Sequence, residues 1–264
     1  MSPDHRRPRR RGEPFRPRSP AERRPDALWI YGIHPVLAVL GNSRRHVKRI
    51  IATANALQRL TELGGALPIA PEEGTPRDLD RLLGGEAVHQ GVAVEVAPLP
   101  PASIEALPPS ARLIVVLDQV TDPHNVGAIM RSAVAFAADA LVTTGRHAPV
   151  ETGVLAKAAS GALEHLPHIE VQNLARALEA LGAAGFTRIG LDSEAPEAFD
   201  QAMAGTRIAL VLGAEGKGLR RLTRDSCDRL ARLPTVGGIA SLNVSNAAVL
   251  ALYVARRHLD AGQA

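Results

Sequence analysis

From residue 112 onward, short unbroken apolar runs alternate with stretches whose apolar residues return every three or four positions. The runs are Leu113-Ile114-Val115-Val116-Leu117, Ala140-Leu141-Val142-Thr143-Thr144, Arg188-Ile189-Gly190-Leu191 and Ile208-Ala209-Leu210-Val211-Leu212. Runs this short and apolar predict parallel strands covered on both faces. The intervening stretches over residues 126–138, 174–184 and 243–259 predict helices, the second capped by Asn173. This alternation predicts an α/β domain with a mostly parallel sheet. Ligands of such sheets sit beyond the carboxyl ends of the strands, so the loops there carry the functional question.

Residues 28–97 predict a smaller α/β unit. Tyr31-Gly32-Ile33-His34-Pro35 opens a helical stretch through Leu40, residues 49–52 form a short strand, 55–63 a helix and 88–96 a strand after a turn. Pro98-Leu99-Pro100-Pro101 and Pro108-Pro109 predict a stiff, extended linker over 98–111, ahead of a second domain over 112–264. Residues 1–27 hold nine arginines, four acids and six of the 20 prolines, with almost nothing apolar. Such a segment cannot bury enough surface to offset its ordering entropy, so a disordered tail is predicted. Its net charge is +5 against +4 for the whole chain, which leaves the remainder at −1. An arginine-rich arm suits electrostatic tethering to phosphate backbones; a solubilising or targeting segment is the alternative.

Composition removes several function classes. With 45% hydrophobic and 22% charged residues, the 264-residue chain has an ordinary soluble make-up and room for a sizeable core. Aromatics at 3% argue against a stacked-aromatic surface for single strands. A lone cysteine, Cys227, excludes an internal disulfide framework and multi-cysteine metal centres. It reads as a small core residue and fits a reducing compartment. His165 and His168 stand three apart with no evident third ligand, so no metal is expected. No apolar run reaches the length of a membrane span, and the first residues lack the apolar stretch of a secretory signal. A cytoplasmic location with no membrane partner is the expectation.

Three loops carry candidate chemistry. The first is Asp118-Gln119-Val120-Thr121-Asp122-Pro123-His124-Asn125-Val126-Gly127-Ala128-Ile129-Met130-Arg131. Asn125 is read as the helix cap, Gly127 as keeping the first turn bare, and Arg131 as leaning back to the helix start. A helix N-terminus favours anions, so these groups together form a candidate phosphate or oxyanion site. A plain cap plus a surface arginine is the bland alternative. The second loop, Gly213-Ala214-Glu215-Gly216-Lys217-Gly218, follows a strand. It is neither a P-loop nor a dinucleotide fingerprint, yet its glycines imply positive φ or close backbone approach. The bland reading is a tight turn with a solvated acid. In the third loop, Ser241, Asn243, Ser245 and Asn246 crowd the start of the last helix with more polar capping than one helix needs.

These three loops resemble, in order and spacing, the three motifs of the SpoU (TrmH) family of RNA ribose 2′-O-methyltransferases in the SPOUT superfamily. They are the Asn-x5-Arg segment, the Gly-x-Glu-x-x-Gly loop and the Pro-x-x-Gly-x-x-x-Ser-Leu-Asn-Val-Ser segment. Through Tyr31-Gly32-Ile33-His34 and His89-Gln90-Gly91, the N-terminal unit resembles the substrate-binding domain of members that modify large-subunit ribosomal RNA. One departure is Asn246, where the family has an apolar or small residue. The resemblance implies S-adenosylmethionine as cofactor, bound in a C-terminal trefoil knot by the backbone around Gly213, Leu233 and Leu242, with Ser241 ordering the loop. It implies Arg131 at the ribose hydroxyl, Asn125 orienting it, Glu215 fixing the arginine or the target, and Asn243 ordering the cofactor loop. It further implies a homodimer that pairs through the last helix, with RNA, most simply a guanosine of 23S ribosomal RNA, as substrate. A transfer RNA methyltransferase and a non-catalytic RNA-binding assembly factor are the alternatives. The intact Asn125, Arg131, Glu215 and Asn243 speak against the last.

Overall fold

The computed structural model describes residues 27–145, 151–237 and 242–262. The arginine-rich segment through Asp26 and the expected cofactor-loop residue Ser241 lie outside them.

The first unit runs β1 (Leu28–Tyr31), α1 (Ile33–Gly41), β2 (Val47–Ala52), α2 (Ala54–Glu62), β3 (Glu72–Glu73), α3 (Pro76–Leu83) and β4 (Val92–Val96). Its sheet has the order β1-β4-β2-β3, with β4 antiparallel to both neighbours and β3 parallel to β2. The strand expected over 88–96 begins only at Val92, because Gln90 (φ 55°) and Gly91 (φ 81°) turn the chain just before it. The helix α3 was not expected. Thr75 and Asp78 form a reciprocal capping box with proline in the first turn, but only Leu79 of that helix is buried.

The second unit carries β5 (Leu113–Asp118), α4 (Pro123–Ala135), β6 (Ala140–Thr144), α5 (Gly153–Ala159), β7 (His168–Val171), α6 (Leu174–Ala183), β8 (Thr187–Leu191), β9 (Glu197–Ala198), β10 (Ile208–Gly213), α7 (Arg221–Asp225), β11 (Arg229–Arg232) and α8 (Val244–Ala261). Its seven strands are parallel throughout, in the order β7-β6-β5-β10-β8-β11-β9. Alternation along the strands explains the layers. Leu113, Val115 and Leu117 pack with α4, α5 and α8, whereas Ile114 and Val116 pack with Leu174, Leu178 and Leu181 of α6. Both faces are therefore dry, as the unbroken apolar runs require.

The two units share one apolar cluster, which runs from Ile30 and Val36 into Leu155 and Leu163. At their junction Arg45, its side chain fully buried, lies 2.6 Å from Glu164 and 2.7 Å from Glu151. Burial works against the Arg45 cation, but Glu164 and then Glu151 outweigh it and hold its pKa above the ordinary value. The proline-rich connection is no free spacer. Ala102 bridges to Ile169, residues Ile104–Ala106 form a 3-10 turn, and Ala111 is fully buried.

Candidate active site

β10 ends at Gly213, where the chain folds back sharply. Gly218 donates its N–H to the Ala214 carbonyl at 2.8 Å, and Gly216 and Gly218 hold φ of 73° and 63°. A Cβ on Gly213 would lie 2.2 Å from the Gly218 carbonyl carbon, so no larger residue fits without moving main chain. This turn brings Glu215 against the starts of two helices. Glu215 Oε1 accepts from Asn243 Nδ2 at 2.5 Å, Asn125 Nδ2 at 3.2 Å and the Val244 N–H at 3.3 Å. Asn243 Nδ2 also donates to Asn125 Oδ1 at 3.1 Å. Asn243 Oδ1 accepts from the Ser245 N–H at 2.9 Å and so caps α8. One residue from each of the three loops thus joins a closed hydrogen-bonded triangle.

Two readings of the first loop need correction. The cap of α4 is Asp122, which accepts from the His124 N–H at 3.1 Å, with Pro123 opening the helix. Asn125 lies inside the first turn, so its side chain is free for Glu215 and Asn243. Gly127 serves helix packing: a Cβ there would sit 2.5 Å from the Ala158 Cβ of α5. Arg131, one turn later on that face, does not join the triangle. It is exposed and lines a separate groove of about 500 Å³ with His34, Leu37, Ser160 and His165. Among the described residues, no hydrogen bond or ion pair joins Arg131 to Asn125, Glu215 or Asn243. Glu215 therefore holds two asparagines rather than the arginine.

Beside the triangle, beyond the carboxyl ends of β8, β10 and β11, lies a cavity of about 600 Å³. Gly213, Glu215, Leu233, Leu242 and Asn243 line it, and Leu191, Leu212 and Val244 add apolar wall. Asp192, Ser193 and Thr235 give it polar edges. Four of the residues singled out for their loops thus bound one cavity with Glu215.

The N-terminal motifs reach the second unit. Gln90 Oε1 accepts from the Ile33 N–H and from Lys157 Nζ of α5, each at 3.1 Å. Burial pulls the Lys157 pKa below its ordinary value. The Gln90 anchor fixes the start of α1 and brings His34 into the groove of Arg131. His34 had no role assigned from the sequence, since only tertiary packing joins it to α4 and α5. His165 is exposed, while His168 pairs with Thr143 Oγ1 at 2.8 Å, so the two histidines have separate surroundings. Among the described residues, no group of three or more His, Cys, Asp or Glu side chains could hold a metal ion. Nor is any helix among them long and apolar enough to cross a membrane.

Residues 112–253 match the SpoU rRNA Methylase family. The chain belongs to the SpoU methylase family. Residues 29–102 of this SpoU methylase match a second family, RNA 2′-O ribose methyltransferase substrate binding. It is 40% identical over 245 residues to the 23S rRNA (guanosine-2′-O-)-methyltransferase RlmB of Pseudomonas putida, covering 86% of this chain and 95% of the relative. It is 36% identical over 234 residues to the putative TrmH family tRNA/rRNA methyltransferase YacO of Bacillus subtilis, covering 85% and 93%. Among solved structures, the SpoU methyltransferase AviRb from Streptomyces viridochromogenes, in complex with AdoMet, superposes with a TM-score of 0.74 at 25% identity. That match covers 88% of this chain and 90% of the other.

Proposed function

We propose that this SpoU methylase transfers a methyl group from S-adenosylmethionine to the ribose 2′-hydroxyl of a guanosine in 23S ribosomal RNA. The observation that carries the proposal is the triangle of Asn125, Glu215 and Asn243 on the rim of the 600 Å³ cavity. The Pseudomonas relative, named for 23S rRNA and spanning both units, supports the ribosomal target.

The cavity fits the cofactor. Its volume suits a nucleoside-sized ligand, its leucines offer faces for an adenine ring, and the side-chain-free Gly213 lets main chain approach a base edge. When bound, S-adenosylmethionine supplies a methyl group already activated on a sulfonium. The protein's own task is to position the hydroxyl and ease the loss of its proton. A guanidinium offers five N–H donors and no acceptor, which suits it to holding charge rather than taking a proton. Its role is electrostatic: it holds the nearby phosphate and stabilises the ribose oxygen as the proton leaves. The triangle keeps the rim shaped and ties α8 to α4.

Arg131 lines no part of the cavity in its own chain, so we assign it to the site of a second copy. The last helix supports a homodimer, because Val249, Leu250 and Tyr253 stand 39%, 47% and 49% exposed on one side of α8. A closed two-fold pairing would make two equivalent composite sites. We also infer a C-terminal trefoil knot. The flanking of β8 by β10 and β11, and three separate chain segments walling one cavity, support a threaded path. The reading includes a cytoplasmic enzyme whose arginine-rich tail tethers RNA.

Subunit mixing tests the site assignment. Arg131→Ala is expected to reduce the rate by roughly 10²–10³ with cofactor affinity unchanged. Gly213→Val, whose side chain collides with Gly218, is expected to lose the cofactor. Mixed and allowed to exchange, the two inactive variants regain activity if sites are composite. A mixture that stays inactive, despite heterodimers seen by native mass spectrometry, rejects the assignment.

A further inference from the structure

We propose a second ligand site in this protein, a pocket for a backbone phosphate of the RNA that flanks the modified nucleotide. The pocket, about 620 Å³, lies over the carboxyl end of β6 at the start of α6 and shares no residue with the cofactor cavity. Thr144, Asn173, Arg220, Arg221 and Leu222 are among its walls, and no carboxylate among the described residues lines it.

Four features make it an anion site. The Arg220 guanidinium is held from behind: its Nε donates to Asp118 Oδ1 at 2.6 Å, and its N–H donates to Asp118 Oδ2 at 2.9 Å. Asp118 is fully buried, whereas the Arg220 side chain is 45% exposed. Among the described residues, the two terminal nitrogens of Arg220 have no partner, which leaves the fork that binds phosphate oxygens free. Arg221 adds a second guanidinium, 93% exposed, whose one acidic neighbour among the described residues is Asp225 at 3.7 Å. The ten-residue helix α6 begins at the pocket, and Asn173 takes up only the Arg176 N–H. The leading amides of Leu174 and Ala175 have no acceptor within the helix. Finally, Thr144 is 6% exposed, and its buried hydroxyl has no partner among the described residues. Thr144 stands on the same sheet face as Val142, the face that α6 covers, so this unsatisfied group points to the pocket.

The position explains the choice of ligand. β5 lies between β6 and β10, and Asp118 at its end stands beside Gly213, while Arg220 lies five residues after Glu215. The Asp118–Arg220 pair therefore separates this pocket from the catalytic rim, and a strand crossing that rim can seat a neighbouring phosphate in the pocket. The RNA occupant rests on the proposed function; the affinity for phosphate does not.

The test uses the full chain with changes outside the catalytic rim. Leu222 is 70% exposed, so Leu222→Glu and Leu222→Gln both leave the core intact and differ only by a charge at the pocket wall. Arg221→Gln removes one cation. Binding of a labelled oligoribonucleotide of mixed sequence is followed by anisotropy over a salt series, with S-adenosylmethionine affinity measured alongside. Arg221→Gln is expected to reduce the salt slope by about 0.7. Leu222→Glu is expected to weaken RNA binding well beyond Leu222→Gln, with cofactor affinity unchanged in all three. Inorganic phosphate at constant ionic strength is expected to shift the amide resonances of Leu174 and Ala175 in the parent chain and not in Leu222→Glu. Equal RNA affinities and slopes across the variants, with unmoved amides, overturn the site. Phosphate-dependent shifts in a parent chain that binds no RNA overturn the RNA reading and uphold the anion site.

Discussion

Replacing Asn243 separates its two duties. Its Oδ1 caps α8 through Ser245, and its Nδ2 donates to Glu215 and Asn125. Asn243→Ala removes both. The lost cap costs about 1 kcal/mol. The two lost bonds, in an exposed cluster, cost roughly 0.5 kcal/mol each. The total is about 2 kcal/mol. Asn243→Asp keeps the acceptor for the cap and gains about 0.3–1 kcal/mol from a negative charge at the helix start. It also places two carboxylates side by side, a repulsion of about 1 kcal/mol for exposed charges. With the two donor bonds also lost, the net loss by urea denaturation is about 1–1.7 kcal/mol, smaller than that of alanine. Its triangle is nevertheless broken, because Glu215 Oε1 loses its 2.5 Å donor. We expect cofactor affinity by calorimetry to fall at least about tenfold, the equivalent of about 1.4 kcal/mol. Parent-like affinity in the aspartate variant would refute the claim that the triangle shapes the cavity. A stability loss equal to that of alanine would refute the separation of cap from cluster.

Arg45→Met leaves Glu151 and Glu164 buried without their cation, and a loss of about 3–5 kcal/mol is expected in urea denaturation. A loss below about 1 kcal/mol would contradict the packed junction between the units. Burial pushes the Cys227 thiol up to about 12, so iodoacetamide is expected to label it far more slowly in the native protein than in denaturant. Equal rates would contradict its placement.

The sheet was legible because its central strands are dry on both sides, which forces unbroken apolar runs such as residues 113–117. The edges were not. His168–Val171 and Arg229–Arg232 alternate or carry charge, so neither stands out from loop by pattern. The helix α3 had a readable start in Thr75, Pro76 and Asp78, but a single buried leucine gave no period to follow. The cap of α4 was legible too, since Pro123 favours Asp122 as the cap over Asn125. The three loops were recognisable as candidate chemistry, and the structure brings Asn125, Glu215 and Asn243 together. It was tertiary packing that decided the rest. The approach of α4 to α5 at Gly127 carries Arg131 to a groove shared with His34, which no local pattern encodes.

The central claim is ribose methylation of ribosomal RNA, and nucleoside mass spectrometry of 23S RNA tests it most directly. Undermethylated 23S RNA is incubated with the purified chain and S-adenosylmethionine bearing a deuterated methyl group, then digested to nucleosides. The account predicts the label in 2′-O-methylguanosine, with the methyl retained on the ribose fragment, and an initial rate roughly 10²–10³ lower with Arg131→Ala. Label on a base, or no label in RNA from a chain that binds the cofactor, would contradict it.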